Sequence, residues 1–200
     1  MISNTIDLYQ LTPEVRSLIT EELDKDEELT WIGQPIPKLF TSQSLPVFLF
    51  AIPWTAFAIF WMVGASGFEI PDFKDGFDSF FLFGIPFVLI GLAMLSSPFW
   101  LRRRARRTYY VLSTDRAIVF MGGFMGSLAT SVRSFYPDQL NNLRRTQKSD
   151  GSGNLIFTVD VSRSSEGQGT TDVGFISVAE VKAVEDAVRD LVEAASADTE

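Results

Sequence analysis

The stretch LRRRARRTYYVLSTDRAIVF, Leu101 to Phe120, decides how this chain is read. It opens on the end of an apolar run, places arginine at Arg102, Arg103, Arg104, Arg106 and Arg107, and then turns aromatic and β-branched around one polar break, Ser113-Thr114-Asp115-Arg116. Upstream, no charged residue occurs between Asp78 and Arg102, nor between Lys38 and Glu69. A helix needs about 20 apolar residues to cross a hydrocarbon core, so both windows are long enough. Leu45–Gly64 and Phe80–Leu95 carry Phe, Leu, Ile and Val on every helical face, which a soluble amphipathic helix does not. The expectation is two membrane helices, over 39–68 and 79–101, with a pair of buried core helices as the alternative. Pro53 and Pro86 suggest kinks, which helices in lipid tolerate when neighbours satisfy the freed carbonyls.

The arginines then have a direct use. The connecting segment 69–78 carries one lysine against four acids, and basic residues at the end of a span are retained on the cytoplasmic side. This predicts a multi-pass protein of an inner (cytoplasmic) membrane, with both termini cytoplasmic and the acidic loop outside. Arg102, Arg103, Arg104, Arg106 and Arg107, joined by Arg116 and Arg133, are also candidate contacts for anionic lipid, at roughly 1 kcal/mol per basic residue near the surface. Trp31 and Trp100 fall at expected membrane boundaries, whereas Trp54 and Trp61 lie inside the first span. The first apolar run follows an acidic segment rather than a short basic one, so it reads as a retained span and not a signal peptide.

Residues 1–38 form an acidic cytoplasmic segment. Thr12 as N-cap and Pro13 at the first helical position start a helix, and Val15, Leu18, Ile19 and Leu23 give it an apolar face. The acids that follow, EELDKDEEL, fail as a calcium loop because Leu29 stands where glycine is required and Pro35 where the closing glutamate belongs. They read instead as a solvated helix end. WIGQPIP is expected to be an extended approach to the membrane, because Gln34 and Ile36 each precede a proline. Opposite charge predicts that this segment folds onto the basic side of the C-terminal domain.

From Thr108 the period changes to that of strands. TYYVLS and RAIVFMG form a hairpin about Thr114-Asp115, and MGGFMGS reads as a further hairpin turn. SLATSVRSFY, LNNLRRTQK, NLIFTVDVS and VGFISV suggest more strands, with a turn at Asp150-Gly151 and a flexible polar loop over SRSSEGQGTTD. Ser177 and Glu180 fit a capping box for a C-terminal helix with an apolar face of Val181, Val184, Val188, Leu191 and Val192. Lys182 with Asp186 and Glu185 with Arg189 add pairs on its exposed side. The domain is placed at 102–195, with a disordered tail at 196–200.

Two membrane helices, TYYVLSTDRAIVF, DGSGNLIF and GFISVAEVKAVEDAVRDL together resemble the bacterial membrane proteins that carry a pleckstrin-homology-like domain. Trp31, Gly33 and Pro35 match the family's pre-membrane W-x-G-x-P pattern. Tyr110, Ser113, Asp115 and Arg116 match its aromatic strand, polar turn and arginine, with Ser113 in place of the more usual threonine. The resemblance implies a partly open, seven-stranded all-β barrel capped by the C-terminal helix, and a tendency to self-associate. It implies no known activity.

Chemistry is tightly bounded by what the chain lacks. It has no histidine and no cysteine, which removes His-based general-base triads, thiolate nucleophiles and ordinary zinc sites. No serine–lysine pair lies in a recognisable motif, MGGFMGS has no phosphate-binding lysine, and neither span holds an ionisable residue. The reading is a non-enzymatic adaptor or scaffold without a catalytic, metal or cofactor site. Its expected partners are membrane lipids and either further copies of itself or another membrane protein, with no nucleic acid and no small-molecule substrate. An anionic-lipid sensor and an accessory subunit of a transport or enzyme complex are the alternatives.

Overall fold

The computed structural model describes residues 2, 5–37, 44–65, 79–122, 130–164 and 167–197. The chain divides into two compact units: residues 1–36 with 104–200, and residues 37–103. The segment before the apolar helices therefore belongs with the C-terminal β region, and the apolar helices form an insertion into it.

In the inserted unit, helix α2 spans Ser44–Ala65 and α3 begins at Ser79, ending beyond the unit at Ala105. Both run on through their internal prolines, Pro53 in α2 and Pro86 and Pro98 in α3. Both are long and apolar enough to cross a membrane, and only 17% of each apolar window is buried within the chain. That exposure suits lipid and not the soluble core offered as the alternative. The helices meet through small residues. Ala51, Thr55 and Ala58 are buried on α2, and Gly84 and Gly91 on α3. A Cβ on Gly91 would overlap Thr55 Oγ1, so only glycine admits this approach. Small residues bring helix backbones together where lipid supplies no hydrophobic drive. Thr55 can sit there because its hydroxyl donates to the Ala51 carbonyl at 2.6 Å. The external acidic loop expected at 69–78 lies outside the described residues.

The β unit contains, among the described residues, seven strands in two antiparallel sheets. The first has the order β1-β2-β3-β4, formed by Leu29–Gly33, Thr108–Ser113, Ala117–Gly122 and Thr130–Phe135. The second has the order β5-β6-β7, formed by Arg144–Gln147, Gly153–Ser164 and Gly167–Val178. The two sheets do not join into a closed barrel. Helix α4, Val181–Ala197, packs against the second sheet.

β1 takes in the first three residues of WIGQPIP, Trp31 to Gly33, and this corrects the reading of that part as an approach to the membrane. It pairs with β2, Ile32 opposite Val111 and Gly33 opposite Tyr110. Trp31 is not at a boundary but in the core, 5.4 Å from the Phe175 ring, which also meets Tyr110 at 5.0 Å and Phe157 at 4.8 Å. Aromatic pairs of this kind add about 0.5–1.5 kcal/mol each beyond their burial. Gly33 is required beside it, since a Cβ there would overlap the indole.

The first sheet is covered on both faces. Trp31, Tyr110, Leu112, Ala117, Val119 and Phe135 face the core with α4, while Ile32, Val111, Ile118 and Phe120 face the N-terminal segment. Helix α1, Pro13–Glu22, brings Ile19 to full burial on that outer face, with Val15, Leu18 and Leu23 beside it. The segment's attachment is thus mainly apolar, where the sequence points to opposite charge as the drive.

Two further expectations are corrected. SRSSEGQGTTD is largely strand, because β6 and β7 pair out to Ser164 and Gly167. The Ser177–Glu180 capping box does not form. Ser177 remains in β7 at φ 58°, its buried Oγ without a partner, and the first helical N–H, from Val181, donates to the Gly151 carbonyl. α4 also extends through residues 196 and 197 of the expected tail, while 198–200 and positions 123–127 of the hairpin turn expected at MGGFMGS lie outside the described residues.

Candidate functional site

The most densely bonded polar cluster is built on Arg116, at the end of the β2–β3 turn. The turn closes with the Ser113 N–H donating to the Arg116 carbonyl at 3.0 Å. This aims the arginine side chain at the segment joining α1 to β1. Arg116 Nε donates to Glu27 Oε1 and Nη2 to Glu27 Oε2, both at 3.0 Å, and Nη2 also reaches the Glu22 carbonyl at 2.7 Å. Asp24 lies at 3.7 Å and the Glu22 carboxylate at 4.0 Å. The Tyr136 ring stands 5.8 Å from the guanidinium. Ser113 Oγ donates to Glu27 Oε1 at 2.5 Å and accepts the Arg116 N–H at 3.0 Å.

Bidentate pairing is the strong form of the arginine–carboxylate bond. The Arg116 side chain is 9% exposed and that of Glu27 is 0% exposed, so both charges depend on each other. Burial alone would raise the Glu27 pKa, but the hydrogen bonds from Arg116 and Ser113 outweigh it and hold the carboxyl below its ordinary value. The same bond to Glu27 pushes the arginine further up. Two expectations are revised here. Within the acidic run Glu27 is buried against the guanidinium, while Glu21, Asp24, Asp26 and Glu28 are exposed as a solvated helix end would be; Arg116 is a buried, paired charge and not a free one. Among the described residues, no three acidic side chains gather as a metal site.

Five more arginines of the β unit are also engaged. Arg133 is held by both carboxylate oxygens of Asp160, which lowers the Asp160 pKa. Arg144 meets Asp172 at 2.8 Å, and Glu185 takes Arg145 at 2.5 Å and Arg189 at 2.9 Å. Both pairs expected along α4 form, Lys182 with Asp186 on the exposed side, but Glu185 is buried where α4 meets β5. Arg16 donates to the carbonyls of Leu8, Tyr9 and Leu11.

Arg102, Arg103, Arg104, Arg106 and Arg107 differ. No carboxylate among the described residues pairs with any of them. Arg103, Arg104 and Arg106 are exposed, and Arg102 and Arg107 half-buried. Of the seven arginines singled out from the sequence, five have no carboxylate partner among the described residues, Arg116 is buried in a structural pair, and Arg133 is held in an exposed one. Tyr110, from the same motif, is structural as well: its hydroxyl donates to the Ile176 carbonyl at 3.0 Å and accepts the Ile176 N–H at 3.1 Å. Burial pushes its pKa up to about 12.

Glu27 escapes sequence reasoning because it stands in a run of similar acids, and nothing local marks it out. Its one signal is position, two residues before the first strand. Compared with protein-family models, with curated proteins and with solved structures, the chain matches none.

Proposed function

We propose that this chain is a non-enzymatic adaptor anchored in the bacterial inner membrane, whose pleckstrin-homology-like domain binds further copies of itself or another membrane protein at the cytoplasmic face. The observation that carries the reading is the insertion. The chain leaves the β unit after β1 and returns to it at β2, and these strands pair directly. Gln34 Nε2, just past β1, donates to the Arg106 carbonyl just before β2 at 3.2 Å. An insertion whose two ends are fastened side by side requires an even number of crossings, and two apolar helices supply it. The arginines at the return point, which have no carboxylate partner among the described residues, support a cytoplasmic placement of that side. The pleckstrin-like reading is supported by the four-plus-three strand arrangement, the C-terminal helix and the placement of the Tyr110–Arg116 motif.

The testing experiment is purification of the full-length protein from its native membrane in mild detergent, with the mass of everything retained. A homo-oligomer or a stoichiometric second protein is expected. A lone monomer, or release from membranes by alkaline carbonate, would contradict the proposal.

A second reading, recognition of anionic lipid, is favoured by the unpaired juxtamembrane cluster alone. It predicts that replacing Arg103, Arg104 and Arg106 by glutamine weakens a salt-sensitive preference for vesicles containing anionic lipid. Arg116, buried and paired with Glu27, is left out of that set.

A further inference from the structure

Outside the two apolar helices, the exposed large aliphatic side chains among the described residues are Val159 and Val161, 42% and 60% exposed. They stand two apart on β6 and so share one face. The edge of that strand is uncovered at the same place. β5 pairs with β6 only from Gly153 to Ile156, while β6 continues to Ser164 with β7 as its one described neighbour. Natural sheets blunt such edges with charge, proline or bulges. Here Asp160, between the valines, points to the other face and is taken by Arg133, and Asp172, opposite Val159 on β7, is taken by Arg144.

We infer that this edge joins two copies of the chain, by antiparallel pairing of β6 with β6 about a two-fold axis at Val161. The inference deepens the self-assembly part of the proposed function and rests on it. Copies related by a two-fold axis pair only residues of the same face, which leaves few registers. Centring on Asp160 opposes two carboxylates, which is destabilising. Centring on Ser162 sets Val159 opposite position 165, beyond the end of the strand. Centring on Val161 sets it against its own copy, Asp160 against position 162 and Val159 against position 163. The four valines then form one strip, and no like charges oppose. The interaction is strand addition, with backbone bonds supplying affinity and the valines supplying register.

The chain contains no cysteine, so single cysteines report the geometry directly. In the full-length protein in nanodiscs, Val161→Cys treated with a short bis-maleimide should yield a covalent dimer at least tenfold more readily than Asn141→Cys. Val161→Lys should convert the particle to a folded monomer, since the site is exposed in the single chain. A dimer that persists in Val161→Lys, or crosslinks equally through position 141, would overturn the edge while leaving self-assembly standing. A wild-type particle holding one copy and a different protein would overturn the choice of partner and leave the adaptor reading intact. A wild-type monomer with no companion would contradict both.

Discussion

Arginine meets two fates within the stretch from Arg102 to Arg116. The five residues at 102–107 end a long apolar helix and have no carboxylate partner among the described residues, whereas Arg116 is enclosed by Glu27, Glu22 and Asp24. The difference lies in where the chain brings its acids. The segment before the apolar helices folds back over the outer face of the first sheet, and its acidic end arrives at the β2–β3 turn. Charge near a membrane and charge inside a fold look alike in sequence, and the long-range partner separates them.

The comparison is broken most directly by substitution. Arg116→Met leaves Glu27 buried without its partner and should lower the stability of the β unit by about 3–5 kcal/mol in denaturant unfolding, whereas Arg103→Gln, Arg104→Gln or Arg106→Gln should stay within about 0.5 kcal/mol. The double variant Glu27→Leu with Arg116→Met should recover at least half of that loss, since no unpaired charge remains. An Arg116 variant as stable as the arginine-cluster variants would remove the distinction.

Ile19→Ala tests the apolar half of the same attachment. It empties a fully buried site between α1 and the sheet and should cost about 2–5 kcal/mol. Hydrogen exchange should show the loss first in 13–22.

Smaller effects come from protons. Tyr110 has its pKa raised from 10.0 to about 12, so the stability it contributes is complete below pH 10 and is lost as pH rises toward 12. Tyr110→Phe should lose about 1–3 kcal/mol at neutral pH, because the Ile176 amide is left unpaired, and should flatten the alkaline limb. Glu27 is shifted the other way from 4.5, so its contribution is present above that value and fades as pH falls through the lower folded value. Glu27→Gln should flatten the acid limb. At the far end, Asp160→Asn should leave the melting temperature unchanged, because the Arg133 pair is exposed and screened.

Much of the architecture is legible where a segment's own pattern carries it. The two apolar helices, the β2–β3 hairpin and the apolar face of α4 each announce themselves by period or by uninterrupted hydrophobicity. β1 does not, because it is covered on both faces and its Trp31, Ile32 and Gly33 are all buried, which erases the alternation of a half-buried strand. Its partner also lies beyond both apolar helices. The outer half of the β6–β7 hairpin is hidden for the opposite reason: it extends past β5, so its residues are as polar as a loop. The Tyr110–Arg116 motif is visible in the sequence, but its role is not, since Glu27 and Ile176 are distant in the chain.

The central claim is that the apolar pair crosses a membrane as an insertion between two paired strands. The most direct test is single-cysteine labelling of the variants Lys74→Cys and Asn141→Cys, in right-side-out and inverted membrane vesicles, with a maleimide that does not cross lipid. Position 74 should be labelled only in right-side-out vesicles and position 141 only in inverted ones. Labelling of both positions from one side would contradict the crossing.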